Sequence, residues 1–394
     1  MKVIWISGAF FLFGCGSSAA RPEPPVLIPK PVESAAVEQP ADPPEPKTPR
    51  KARLQIAIGE STACLRVDSS LWCWRRTVGV DAPIKTANSP IQGIGDVSDV
   101  VVGYDYVCAL GTEGRVFCWG NNDRGQLGAG RMEERIDTPV PVRGIEGAVA
   151  LGGGLWHTCA ILADGGVSCW GANWAGQTGA DVEYTQGARE LVTAERVAGM
   201  SNASTIVAGR DQTCARTDTD FWCWGRSPLK THTASIQPSK VADLSDVEQL
   251  VLEDETTCGL FKGGHVSCWG SGAFSLLVDG PLRAEMPIPV ELPPAKGIAA
   301  SKYHACALLR DGRVNCWGMN TYGQLGRAPD RNDYRPHAQG IVQGLPAQVN
   351  SLSLGSGTSC AIVRDTELWC WGVAPHVPWV HGAGSGTPER VPLD

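Results

Sequence analysis

Residues His304–Gly318 read HACALLRDGRVNCWG: two short apolar runs around Asp311-Gly312, a cysteine near each end, and Trp-Gly to finish. The pattern recurs seven times. Fourteen of the fifteen cysteines fall into pairs nine or ten residues apart. The pairs are Cys64 with Cys73, Cys108 with Cys118, Cys159 with Cys169, Cys214 with Cys223, Cys258 with Cys268, Cys306 with Cys316, and Cys360 with Cys370. The second cysteine is always followed by tryptophan, at Trp74, Trp119, Trp170, Trp224, Trp269, Trp317 and Trp371. Two residues before it stands an apolar side chain on the same strand face: Leu71, Val116, Val167, Phe221, Val266, Val314 or Leu368. Tryptophan takes the opposite face, so each strand is apolar on both faces and must be covered on both.

The turns agree with a hairpin. A spacing of ten centres on a three-residue loop whose last residue is left-handed. That residue is Gly114, Gly165, Gly264 or Gly312, and in the seventh repeat Thr366, where a left-handed backbone carries strain. A spacing of nine centres on a two-residue loop, Asp68-Ser69 or Asp218-Thr219. Either spacing sets the cysteines opposite each other, roughly 4.5 Å apart at Cα and within disulfide reach. One intra-hairpin disulfide per repeat is therefore expected. Zinc would call for closer ligand pairs, which are absent from the sequence. Successive pairs begin 44 to 55 residues apart, a period that suits propeller blades. The predicted fold is all-β: a seven-bladed β-propeller with four-stranded blades over residues 53–394. A first strand precedes each hairpin, from Leu54–Ile58 onward, and a final strand follows, as in Thr387–Leu393. Because the chain starts on one strand type and ends on another, the ring is expected to close by pairing its two ends within one blade.

Before the repeats lie two other segments. Lys2, the apolar run Val3 to Phe13, and Leu12-Phe13-Gly14-Cys15 resemble a lipoprotein signal segment with Cys15 as the lipidated residue. The run is too short to span a bilayer. Residues 1–15 are thus read as signal peptide and the chain as exported, lipid-anchored to the bacterial outer membrane or cell surface. Residues 16–52 hold ten prolines between Arg21 and Arg50 and no aromatic residue, which reads as a disordered tether. Export implies an oxidising compartment where disulfides persist. A formal charge of −7 argues against nucleic-acid binding.

WGNNDRGQLG (Trp119–Gly128), WGANWAGQTG (Trp170–Gly179) and WGMNTYGQLG (Trp317–Gly326), with HTCAILADGGVSCWG (His157–Gly171), resemble the regulator of chromosome condensation repeat. The resemblance covers residues 53–394 and implies seven four-stranded blades, the fold also of β-lactamase inhibitor protein II. There are departures: Arg75 stands where glycine follows tryptophan, and Glu253 and Ser301 stand where glycine precedes the second strand. The first, fourth, fifth and seventh repeats lack the GQLG segment.

No serine-hydrolase elbow, zincin helix, P-loop or calcium loop occurs, and no cofactor or metal is expected. The chain reads as non-catalytic and monomeric. What the repeat does not explain is the variable turn before each first cysteine. There stand Tyr104, Asp105, Tyr106, Trp156, His157, Arg210, Asp211, Asp254, Lys302, Tyr303 and His304. Such turns ring one end of the channel, and aromatic residues with arginine suit an interface, so these are the candidate partner-binding residues. Trp174, Tyr184 and Tyr322 are weaker candidates. His157 and His304 are read as turn histidines bonding backbone, not as metal ligands. An alternative is a polysaccharide-active enzyme using Asp105, Asp211, Asp254 and Glu255. A third reading, guanine-nucleotide exchange on a small GTPase, follows from the resemblance alone and conflicts with export.

Overall fold

The computed structural model describes residues 53–75, 89–180, 190–218, 220–226, 235–241, 244, 246–253, 256–270, 284–373 and 384–393. Cys15, the tether, Tyr184, Asp254 and Glu255 lie outside them. The chain divides into Met1–Arg50 and Lys51–Asp394, and every described strand belongs to the second unit.

Seven antiparallel sheets follow one another, each built from strands consecutive in sequence. The third is typical: Ala148–Gly153, His157–Leu162, Val167–Ala172 and Glu190–Arg196. Six sheets have four strands; the first has three among the described residues, Leu54–Ile58, Thr62–Val67 and Ser70–Arg75. The first strand of every sheet lies beside the first strand of the next, and the first sheet beside the last. The result is a seven-bladed propeller with first strands innermost.

Register explains the cross-links. Within each hairpin the two cysteines are directly opposed in the antiparallel ladder. Cys64 is bonded to Cys73 in the first blade, Cys108 to Cys118 in the second, and Cys159 to Cys169 in the third. Cys214 is bonded to Cys223 in the fourth, Cys258 to Cys268 in the fifth, Cys306 to Cys316 in the sixth, and Cys360 to Cys370 in the seventh. Their Cα separations are 4.0–4.1 Å, a little closer than the roughly 4.5 Å of an uncross-linked opposed pair. The pairing expected from spacing is thus the one formed. Gly114, Gly165, Gly264 and Gly312 are left-handed as the loops require. The seventh hairpin solves its turn differently. Arg364 and Asp365 take positive φ, and Thr366 does not, so the strain moves to residues other than the expected one. The Asp365 amide is compensated by the Asn350 side-chain carbonyl.

The outer strand meets the Cys-Trp strand with a bulge between the cysteine and the glycine. That bulge explains the Trp-Gly pair. Gly171 sits at φ 101°, and a Cβ there would lie 2.5 Å from the Trp156 carbonyl oxygen. The core lies between blades. Leu308, Val314 and Leu325 of the sixth blade, for example, pack on Val349, Ala361 and Trp371 of the seventh.

The chain ends do not share a blade. Ser385–Val391 pairs with Glu367–Gly372 inside the seventh blade, and Leu54–Ile58 pairs with Thr62–Val67 inside the first. Ile56, Ile58 and Leu65 instead pack face to face on Ile362, Leu368 and Val391. The expectation of closure by strand pairing is therefore corrected: the seventh blade already has its own outer strand, and side-chain packing joins it to the first.

Candidate partner-binding face

The turns between first and second strands of all seven blades surround one cavity of about 360 Å³ at one end of the channel. Glycines recur along its rim, at Gly59, Gly103, Gly154, Gly209 and Gly355, where neighbouring turns nearly touch. A Cβ on Gly103 would lie 2.5 Å from the Gly154 carbonyl oxygen, and one on Gly154 would lie 2.4 Å from that of Gly209. Backbone bonds cross the same gaps, Tyr104 N–H to Leu155 and Leu155 N–H to Gly209.

Four of the expected partner-binding residues are buried, Asp211 just beneath the rim and three others deeper. Tyr106, His157 and His304 are fully buried as the first residues of their second strands. Each reaches across to the next blade. His157 Nε2 lies 2.7 Å from the Thr213 hydroxyl, which itself donates to the Gln177 carbonyl at 2.8 Å. His304 Nε2 repeats this with Ser359 and the Gln324 carbonyl. Since each hydroxyl proton is committed to the carbonyl, the imidazole Nε2 must be the donor. Burial lowers both imidazoles to about 3, so they are neutral. The Tyr106 phenol donates to the His157 carbonyl and accepts from Thr158, and burial raises its pKa. These are inter-blade clasps, a correction to both the surface reading and the backbone-bonded turn reading of the histidines.

The GQLG segments complete the clasps. The Gln126, Gln177 and Gln324 side chains hold their own turns by accepting the amides of Arg124, Ala175 and Tyr322. Their main-chain carbonyls accept the indole N–H of the next blade's tryptophan, Trp170, Trp224 or Trp371, at 2.9–3.0 Å.

What remains at the surface is concentrated on the second to fourth blades. Tyr104, 40% exposed, lies 5.9 Å from Trp156, which meets Trp174 edge-on at 5.3 Å. Arg210 lies over Trp156 and Arg124 over Trp174, each 5.6 Å from the ring centre. Beneath them Asp211 accepts the Trp174 indole N–H at 2.8 Å and pairs with Arg210 and Arg226 at 3.8 and 3.7 Å. Trp174, which the sequence ranked below the turn residues, is thus central. It lies one loop away from them, and its partner Asp211 is the link that sequence could not place. Lys302 and Tyr303 lie elsewhere on the rim, the ammonium 5.4 Å from the neighbouring ring. Asp105 takes Arg135 at 2.8 Å and the Ser61 hydroxyl at 2.8 Å. Both described carboxylates of the hydrolase alternative are therefore engaged by arginine, which suits anchoring rather than acid–base exchange.

The fold and its loop-built rim define a disulfide-cross-linked seven-bladed propeller. Models of the regulator of chromosome condensation repeat match residues 97–126 and 295–324, and residues 113–161 and 311–362, so those stretches are similar to that repeat. Protein pim1 of Schizosaccharomyces pombe is 26% identical over 218 residues, 48% of this chain and 40% of that protein. The secretion-regulating guanine nucleotide exchange factor of Mus musculus is 28% identical over 214 residues, covering 49% and 44%. The ultraviolet-B receptor UVR8 of Arabidopsis thaliana is 26% identical over 342 residues, covering 82% and 66%. The chain spans less than half the length of the first two of these. Among solved structures, human WBSCR16 superposes with TM-score 0.67 at 18% identity, covering 81% of this chain and 89% of that one. Yeast RCC1 (Prp20) bound to Kap60 gives 0.63 at 20%, covering 75% of each. At such identities the likeness is one of fold.

Proposed function

We propose that this protein is a non-catalytic protein-binding scaffold, held at the cell envelope by a lipid on Cys15 and presented through the tether of residues 16–52. The observation that carries the binding reading is the aromatic–arginine cluster of Tyr104, Trp156, Trp174 and Arg210 on the channel rim. Hot spots are rich in tryptophan, tyrosine and arginine held rigid before the partner arrives. Asp211 supplies that rigidity from below. Seven disulfides support an oxidising compartment, and Leu12-Phe13-Gly14-Cys15 supports lipidation.

The test is cross-linking and capture from envelope preparations, with metabolic labelling by a fatty-acid analogue to read Cys15. A captured protein that is lost when Trp156→Ala is combined with Tyr303→Ala supports the reading. Capture unchanged by those substitutions removes the rim as the site, and an unlabelled protein in the cytosol removes the anchor. The cytosolic outcome would favour the second reading, guanine-nucleotide exchange, which the name of the mouse relative motivates.

A further inference from the structure

We propose that the rim of the second to fourth blades recognises an acidic protein segment, with one apolar side chain set beside Trp156 and carboxylates on Arg124, Arg210 and Arg226. This rests on the scaffold reading and adds the chemistry of the partner.

The argument is one of layering. Among the described residues, the ion-paired acids and bases of the cluster lie at different depths. The Arg124, Arg210 and Arg226 side chains are 47%, 39% and 52% exposed, whereas their carboxylate partners Glu190 and Asp211 are only 14% and 10% exposed. A partner approaching from solvent meets these guanidinium groups before the two carboxylates that pair with them. Two of the arginines share one carboxylate at 3.7–3.8 Å, and one oxygen of that carboxylate already takes the Trp174 N–H. Arg226, 52% exposed, reaches that carboxylate only at 3.7 Å, and a guanidinium presents five donors in a planar fork. An incoming carboxylate matches the outer edge of that fork bidentately. Arg210 and Arg124 each occupy one tryptophan face. Tyr104 and Trp156 both line the cavity. The cavity, about 360 Å³, is of a size to take a side chain or loop tip, not a domain.

The experiment uses the full chain with its disulfides intact. The probes are a synthetic peptide of alternating glutamate and leucine and its lysine-for-glutamate counterpart, followed by tryptophan fluorescence and calorimetry. The glutamate peptide is expected to bind and to weaken steeply with added salt. Its affinity should fall at least about tenfold in the Arg210→Glu/Arg226→Glu double variant, which circular dichroism should show to be folded. A Lys240→Glu variant on the outer strand of the fourth blade should bind like the parent. Equal binding of both peptides, binding of neither, or indifference to the double reversal would overturn the proposal. The two readings separate through the captured envelope protein. If Trp156→Ala abolishes its capture and the arginine reversals do not, the scaffold reading stands and acidic recognition falls.

Discussion

At the scale of single residues, the buried histidines set how the molecule responds to acid. His157 and His304 are lowered to about 3 by burial, against an ordinary value of 6.5. Between those values the unfolded chain binds more protons than the folded one, so stability falls as pH drops from about 6.5 toward 3. Thermal unfolding measured from pH 7.5 downward should show this loss, and the His157→Gln/His304→Gln variant should show a shallower one. An unchanged slope would mean other groups govern acid lability. A second residue-level prediction contrasts two glycines. Gly154→Ala forces a Cβ to 2.4 Å from the Gly209 carbonyl oxygen and 2.5 Å from the His157 ring, and should cost roughly 1–3 kcal/mol or more. Gly199→Ala has open space around it and should cost only the left-handed backbone penalty of about 1 kcal/mol. Denaturant midpoints of the two variants check the order. The clasp residues were nearly legible in the sequence. Blades with a GQLG-type segment begin their second strand with Tyr106, His157 or His304; the others begin with Thr62, Gln212, Thr256 or Thr358. Co-occurrence of that kind marks a packing partner, while residue type alone suggested a surface. The Trp174–Asp211 contact had no such signal, because it joins two loops 37 residues apart whose approach only the closed ring determines.

At the scale of the element, the hairpin was readable because period, loop length and cysteine spacing all constrain one register. A one-residue slip would have turned every cysteine to the wrong face. The seventh turn escaped because a three-residue loop can place its positive φ on Arg364 and Asp365 as well as on its last residue. The register also bounds what a disulfide contributes. Each one joins strands that the ladder already holds together, so it removes less chain entropy than its loop length implies. The Cys306→Ala/Cys316→Ala variant should therefore lose at most a few kcal/mol and keep its ring, as read by chemical denaturation and small-angle scattering. The clasp should matter comparably. Ser359→Ala removes the acceptor of His304 Nε2, leaving that buried N–H unpaired at a cost of roughly 1–3 kcal/mol, while the Gln324 carbonyl keeps the Trp371 indole. A loss under a few tenths of a kcal/mol would show that water replaces the hydroxyl.

At the scale of the whole molecule, the seams between blades are not equivalent, and their differences predict where the ring opens. Three described seams carry a GQLG carbonyl, a buried Tyr or His and an indole bond: second to third, third to fourth, and sixth to seventh. Among the described residues, the seam between seventh and first blades joins the two ends of the propeller without strand exchange. Its described contacts include apolar packing around Ile56, Ile58 and Trp74 and a close approach at Gly355, where a Cβ would lie 2.6 Å from the Ile58 side chain and 2.8 Å from the Gly59 carbonyl oxygen. Among the described residues no strand pairing crosses that seam, which leaves each blade able to separate as a unit while its own disulfide and ladder survive. Hydrogen exchange should therefore show the backbone of Leu54–Ile58 and Val349–Leu354 opening before that of Ala148–Gly153, which lies between two clasped seams. Ile58→Ala should cost about 2–5 kcal/mol and accelerate exchange in the first and seventh blades specifically. A disulfide engineered across that seam should suppress the early opening. Exchange that rises uniformly around the ring in Ile58→Ala would mean that the propeller unfolds as one cooperative body and that the seam has no separate opening.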